Sequence, residues 1–289
     1  MPLSAVALVI IGALVHATWN VLAKKAAGGV PFVWLYGLVS LVVATPFGVI
    51  AWQRQDQPLS PEAWLAIACS AALHLLYSLI LQKGYQASDF SIVYPVARGT
   101  GPLLTVPAAI ALLNERPTPP GWIGIAAVIA GILLISDLPK GVSIQSSPVR
   151  AGVGWGVLTG ACIAGYTVVD GWAIKGLQLD PVLYYVMGLL LRTALLAPQA
   201  LRSTDRLSLQ WAKNSRYVVG VGVLAPIAYT LILYAIARAP LIYVAPAREV
   251  SMLLGVLIGA MLLNEPLSRS RFLGTTCMVF GVAMLSIAR

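Results

Sequence analysis

The chain has 289 residues, of which 59% are hydrophobic and only 10% charged, against roughly 25% charged in an average soluble domain. So apolar a composition excludes a water-soluble globular domain and predicts an all-α integral membrane protein. The net charge of +9 would suit a nucleic-acid binder. The basic residues, however, sit in short loops between apolar runs and not along a polar stripe, which excludes nucleic acid and leaves the lipid bilayer as the partner.

A hydrocarbon core about 30 Å thick takes about 20 residues of helix, and ten apolar segments of suitable length follow one another. They run over Leu3–Ala23, Phe32–Trp52, Ala63–Gln82, Ile92–Leu113, Trp122–Leu138, Val153–Ala173, Val182–Leu201, Tyr217–Ala237, Leu241–Leu263 and Phe272–Ala288. The connections are short and rich in Pro, Gly and charged residues, and the longest lies near Pro139–Arg150. The first segment has no basic stretch before it and no small-residue cleavage site, so it reads as the first helix of the mature protein and not as a signal peptide.

The second half of the chain repeats the first. At a constant offset of 150, residues 97–136 and 247–286 match at twelve of forty positions, among them Arg98/Arg248, Asn114/Asn264 and Glu115/Glu265. Shared Leu or Gly is common in membrane sequences, so the polar matches carry the weight. The chain therefore divides into residues 1–143 and 144–289, each a repeat of five helices. An odd number of spans forces the second repeat to enter the membrane from the opposite side, giving inverted topology and a central cavity between the halves. The loops on one side hold eleven Lys and Arg and those on the other five, which places both termini outside the cytoplasm.

Polar residues inside the apolar segments mark the candidate site. Helix one carries His16 and Asn20, and the repeat offset puts Tyr166 and Asp170 at the equivalent places in helix six. On helix three, His74, Ser78 and Gln82 form one stripe, with Tyr77 beside it. Helix four holds Pro95, Arg98, Gly99, Gly101 and Pro102, and helix nine mirrors it with Pro246, Arg248 and Glu249. Interrupted helices at corresponding places in two repeats point to a transport site, because unwound backbone survives only beside a cavity. The arginines also admit a structural reading, in which they pair with Glu249 to fasten helices. Arg192 of helix seven has no repeat counterpart and reads as a snorkelling side chain.

Tyr77, Tyr166 and Tyr229 lie too deep in their helices to be interfacial anchors, and with Trp19 they suit the wall of a pocket for a flat or apolar group. Asn114-Glu115 and Asn264-Glu265 close helices four and nine and read as loop caps. Gly156/Gly160, Gly255/Gly259, Ala127/Gly131 and Cys277/Gly281 mark close helix packing, the last two pairs suiting contact between helices five and ten or with a second subunit. Cys69, Cys162 and Cys277 lie far apart in apolar runs and suggest neither metal nor disulfide. No phosphate-binding loop, metalloprotease signature or nucleophile elbow occurs, so the sequence calls for no cofactor and offers little to enzyme chemistry.

The duplication, the Ala-Thr-Trp-Asn run at 17–20 before Lys24-Lys25, the Tyr-Pro-Val-Ala-Arg run at 94–98 and the Leu-Leu-Asn-Glu ends of helices four and nine resemble the drug/metabolite transporter superfamily, EamA-type, over essentially the whole chain. Within it the sequence looks like the amino-acid exporters, among them bacterial aromatic amino-acid exporters. The resemblance implies a multi-pass protein of the bacterial inner membrane that exports small metabolites by alternating access, a monomer sufficing. Four-helix relatives carry a carboxylate eight residues before the lysine that closes helix one, where this chain has His16; their proton coupling does not carry over. On this reading Arg98 or Arg248 meets a substrate carboxylate and Glu249 or Asp170 its ammonium. Tyr77, Tyr166, Tyr229 and Trp19 form the walls, and His16, Asn20, His74, Ser78 and Gln82 line the wet path. The rivals are a passive facilitator, a multidrug exporter and an intramembrane lipid-processing enzyme.

Overall fold

The computed structural model describes residues 1–26, 28–88, 90–135, 147–202, 204–253 and 269–288. Among these the chain forms ten α-helices: α1 (Leu3–Ala26), α2 (Gly29–Gln53), α3 (Pro61–Ala87), α4 (Phe90–Leu113), α5 (Pro119–Ile135), α6 (Ser147–Gly171), α7 (Pro181–Leu201), α8 (Thr204–Arg238), α9 (Leu241–Ala247) and α10 (Arg269–Ile287). Eight are long and apolar enough to cross a membrane, and α5 is a shorter apolar helix. Large apolar side chains such as Val42, Phe47, Leu112, Leu133, Phe272 and Phe280 are exposed on the outside of the bundle, as a helical surface requires when its solvent is hydrocarbon. The chain is an all-helical integral membrane protein.

Several helices begin ahead of their apolar runs because capping groups start them. The Ser60 hydroxyl accepts the Ala63 N–H at 3.2 Å, with Pro61 in the first turn of α3. Asp180 accepts the N–H groups of Val182 and Leu183 at 2.9 Å each, with Pro181 opening α7. Both are standard helix-starting chemistry. α8 starts well before its membrane segment and bends at Asn214, whose backbone leaves the helical region at φ −129°. The Asn214 amide reaches the Ala26 carbonyl at 3.3 Å, which ties this bend to the end of α1.

Much of the helix packing follows the repeat. α1 packs along α8 and α3 along α6; α2 packs on α7 and α8, and α3 on α7; α5 packs on α10. These pairs map onto one another when each of α1 to α5 is exchanged for the helix five places later; α4 along α6 and α7 on α8 stand outside that pattern. The expected boundary at 143/144 lies outside the described residues.

The α5–α10 pair is a backbone-to-backbone seam. A Cβ on Gly131 would stand 2.7 Å from the Gly274 carbonyl oxygen, and one on Gly274 2.8 Å from that of Gly131. Gly124 and Gly281 face each other in the same way, at 2.9 Å in each direction. The pairs are repeat-related, since 274 is 124 plus 150 and 281 is 131 plus 150. Helices five and ten therefore meet each other through glycines seven residues apart, with Gly131 and Gly281 of the expected pairs in the seam. Gly156 and Gly160 let α6 approach the α4 backbone, with Cβ positions 3.0 and 2.9 Å from the Val93 and Ala97 carbonyl oxygens. Gly255 and Gly259 lie outside the described residues.

α4 runs without a break through Pro95, Pro102 and Pro107, so the interruption expected there does not occur. A membrane helix packed among neighbours absorbs a missing N–H that would break an isolated one. The irregular backbone lies elsewhere. α9 passes into a 3₁₀ turn over Arg248–Val250, and α6 ends in a π-helical turn over Trp172–Gly176.

Asn114 ends α4 in the left-handed conformation (φ 54°), a common helix stop. Glu115, next in sequence, caps a different helix from its own. Its carboxylate accepts the N–H groups of Leu241 and Ile242 at 2.8 and 2.9 Å, and Lys175, carried by the π turn, donates to it at 2.7 Å. The corresponding Asn264-Glu265 pair lies outside the described residues.

Two outcomes follow for stability in detergent. Gly131→Ala forces the seam apart and costs about 1–3 kcal/mol, whereas Gly154→Ala, with nothing within 4 Å of its Cβ position, is neutral or slightly stabilising; thermal unfolding of the purified proteins compares them. Glu115→Ala leaves two α9 N–H groups and the Lys175 ammonium without their acceptor and costs about 1–3 kcal/mol, with Glu115→Gln recovering part of the loss in the same assay.

Candidate substrate cavity

The polar residues converge on one cavity of about 140 Å³, walled by α1, α2, α3, α6, α7 and α8, with Arg98 from α4 and Arg248 from the 3₁₀ turn. The irregular turn sets two neighbouring charges, Arg248 and Glu249, against the arginine of α4. Glu249 is fully buried and takes both guanidinium groups: Arg98 Nη1 lies 3.4 Å from Oε2 and Arg248 Nε 3.3 Å from Oε1. Arg98 Nη2 also donates to His16 Nε2 at 2.6 Å. Because a guanidinium only donates, His16 is neutral here with its Nε2 lone pair as the acceptor.

An aromatic cluster forms the rest of the wall. His74 stacks on Tyr166 with ring centroids 3.9 Å apart, and Tyr229 meets His74 edge-on at 5.2 Å. Arg248 lies over the Tyr166 ring at 5.9 Å, and Trp19 stands edge-on to His16 at 4.8 Å. On the α7 side Arg192 donates to the Tyr185 hydroxyl at 3.2 Å and lies 5.3 Å from the centre of that ring.

Of the residues expected at the site, Arg98, Arg248, Tyr77, Tyr166, Tyr229, Trp19, His16, His74 and Ser78 line the cavity. Three do not. Asp170, expected to meet an ammonium group, lies fully buried one layer behind the wall. Its Oδ1 accepts from the hydroxyls of Ser70 and Tyr184 at 2.7 Å each and its Oδ2 from that of Tyr229, so three hydroxyls close it off. Glu249 sits behind the two arginines and does not face the cavity. Asn20 turns its amide back onto the His16 carbonyl at 2.8 Å. The side chain of Gln82 lies outside the described residues.

Arg192 lines the cavity instead of snorkelling, together with Thr193, Tyr185, Tyr36 and Trp34. The signal was present in the sequence. An arginine midway along an apolar segment is costly unless it faces a cavity, and the missing repeat counterpart does not change that cost. Aromatic residues abound near helix ends as interfacial anchors, and only packing shows that Trp34, Tyr36 and Tyr185 face the cavity.

The cavity is thus an aromatic-walled chamber with three cations and, among the described residues, no carboxylate in its lining. A chamber of this kind inside a multi-helix membrane bundle suits a small molecule. The match to known proteins agrees: the chain belongs to the EamA-like transporter family, whose model matches residues 3–137 and again 150–287. The uncharacterized transporter YwfM of Bacillus subtilis (strain 168) is 22% identical over 260 residues, 88% of this chain and 84% of that protein. A solved crystal structure shares the fold with a TM-score of 0.75 at 16% identity, covering 98% of this chain and 96% of that one. The family implies small-molecule substrates and a place in the bilayer.

Removing the shared carboxylate exposes what it does. Glu249→Gln leaves two buried guanidinium groups facing each other without an anion and destabilises the protein by about 3–5 kcal/mol; a thermal midpoint in detergent equal to that of the unaltered protein would show that the arginines do not depend on Glu249.

Proposed function

We propose that this protein is a secondary transporter of the bacterial cytoplasmic membrane that carries small organic metabolites, with a carboxylate and a flat or apolar body, through this cavity by alternating access. The observation that carries the reading is the union of Arg98 and Arg248, equivalent residues of two repeats, at one chamber. Each repeat contributes one arginine and both hold the same carboxylate, so a solute engaging either guanidinium acts on the joint between the halves. The repeat pairing of the helices supports an inverted arrangement, 1–143 against 144–289, in which rocking of one half on the other opens the chamber to either side.

Aromatic amino acids supply the ring and the carboxylate of this description. Export of permanently cationic drugs is disfavoured by three guanidinium groups in the wall. A passive facilitator shares the same cavity and differs only in its response to a driving gradient.

Counterflow into proteoliposomes tests the reading. Exchange of a ring-bearing carboxylate saturates with concentration, and Arg98→Ala lowers it about tenfold or more, the scale of one lost charge-assisted hydrogen bond. That variant keeps the Arg248–Glu249 pair, so it elutes from size exclusion as the unaltered protein does. Saturable exchange unaffected by Arg98→Ala removes this arginine from the site. An imposed proton gradient that leaves net flux unchanged identifies a facilitator.

A further inference from the structure

Resting on the transporter reading, the chemistry of the cavity narrows the cargo further. Among the described residues the two acids near the wall are already consumed: Glu249 by two arginines, Asp170 by three hydroxyls. Among the lining residues, the buried polar atoms left without a partner are mostly donors. Arg248 Nη2, Trp19 Nε1 and Trp34 Nε1 are buried without a hydrogen-bond partner, and the Arg248 side chain is only 10% exposed. Against these three donors stands one buried acceptor without a partner, His74 Nε2. Its role is fixed by the other ring nitrogen, which donates to the Ser70 carbonyl at 2.9 Å. A buried donor left unmade is costly, so such atoms mark where a ligand completes the network.

We propose that the transported species is a small organic monoanion, a carboxylate on an aromatic or apolar body, carrying a neutral hydroxyl or no second polar group in place of an ammonium. The carboxylate accepts from Arg248 Nη2 and the indole N–H groups. The body lies against the aromatic wall, and His74 Nε2 accepts from a hydroxyl. An ammonium group would enter beside Arg98, Arg192 and Arg248 and find neutral hydroxyl and imidazole acceptors but, among the described residues, no free carboxylate, so its charge would be desolvated without a counter-charge.

A matched pair of probes decides this. 3-Phenyllactate and phenylalanine share the carboxylate and the ring and differ in a hydroxyl against an ammonium; phenethylamine keeps the ammonium and lacks the carboxylate. In titration calorimetry on the purified protein in detergent, and in counterflow of labelled probe into proteoliposomes, phenyllactate binds and exchanges at least about tenfold better than phenylalanine, and phenethylamine does neither. Arg248→Gln removes most of the phenyllactate affinity and Arg248→Lys restores part of it; should Arg248→Gln fail to fold, the ratio of the two probes in the unaltered protein stands as the test. Phenylalanine equal to or better than phenyllactate overturns the anion assignment and leaves the transporter reading intact. Exchange of other solutes with neither probe bound also overturns it. Failure of every solute in a panel of acids, zwitterions and amines to exchange overturns the transporter reading itself.

Discussion

The structure depends on one carboxylate shared by two arginines in a dry place. Two guanidinium groups brought together inside a bilayer repel each other and have each lost their water, a combination that is prohibitive without an anion between them. Glu249 supplies that anion, and its position next to Arg248 in a tight turn keeps it within reach of Arg98 on the neighbouring helix. The arrangement is lopsided: the repeat offset pairs Glu249 with Gly99, so one half of the duplicated chain provides the acid for both. The duplication supplied matching cations, and a single departure from symmetry made them compatible.

That departure also sets the chemistry of the chamber. With Glu249 committed to holding helices, the wall presents cations and N–H groups over a bed of tyrosine rings. Asp170 follows the same logic. Its equivalent in the first repeat is Asn20, which needs no partner beyond its own helix, whereas Asp170 is surrounded by three hydroxyls that answer its charge without exposing it. Glu249 and Asp170 both serve the scaffold, and the chamber is lined by the groups they leave over.

Much of this was legible in the sequence, for reasons that differ by element. Length and apolarity fix the spans, because hydrocarbon thickness permits few alternatives. The polar matches at an offset of 150 betray the repeat, because polar residues do not recur inside a membrane by accident. Arg98, Arg248, His16 and His74 were readable on the same ground. The layer occupied by each residue was not. Asp170 and Tyr229 both sit on interior helices, and only packing reveals that the tyrosine faces the chamber and the acid stands behind it. Arg192 has no repeat counterpart, and only its cost inside hydrocarbon marks it as a cavity residue. The proline-rich stretch of α4 looked broken because proline preferences describe isolated helices, while this one is braced along its length by α6.

None of the residues that line the chamber belongs to α5 or α10, whose glycine seam lies wholly outside it. The glycine seam and the chamber lining are therefore written in different parts of the chain. Substitutions in the lining on α2 and α7 reshape the chamber without touching the α5–α10 keel. A lineage built on this plan is free to diversify its solutes while its architecture stays still.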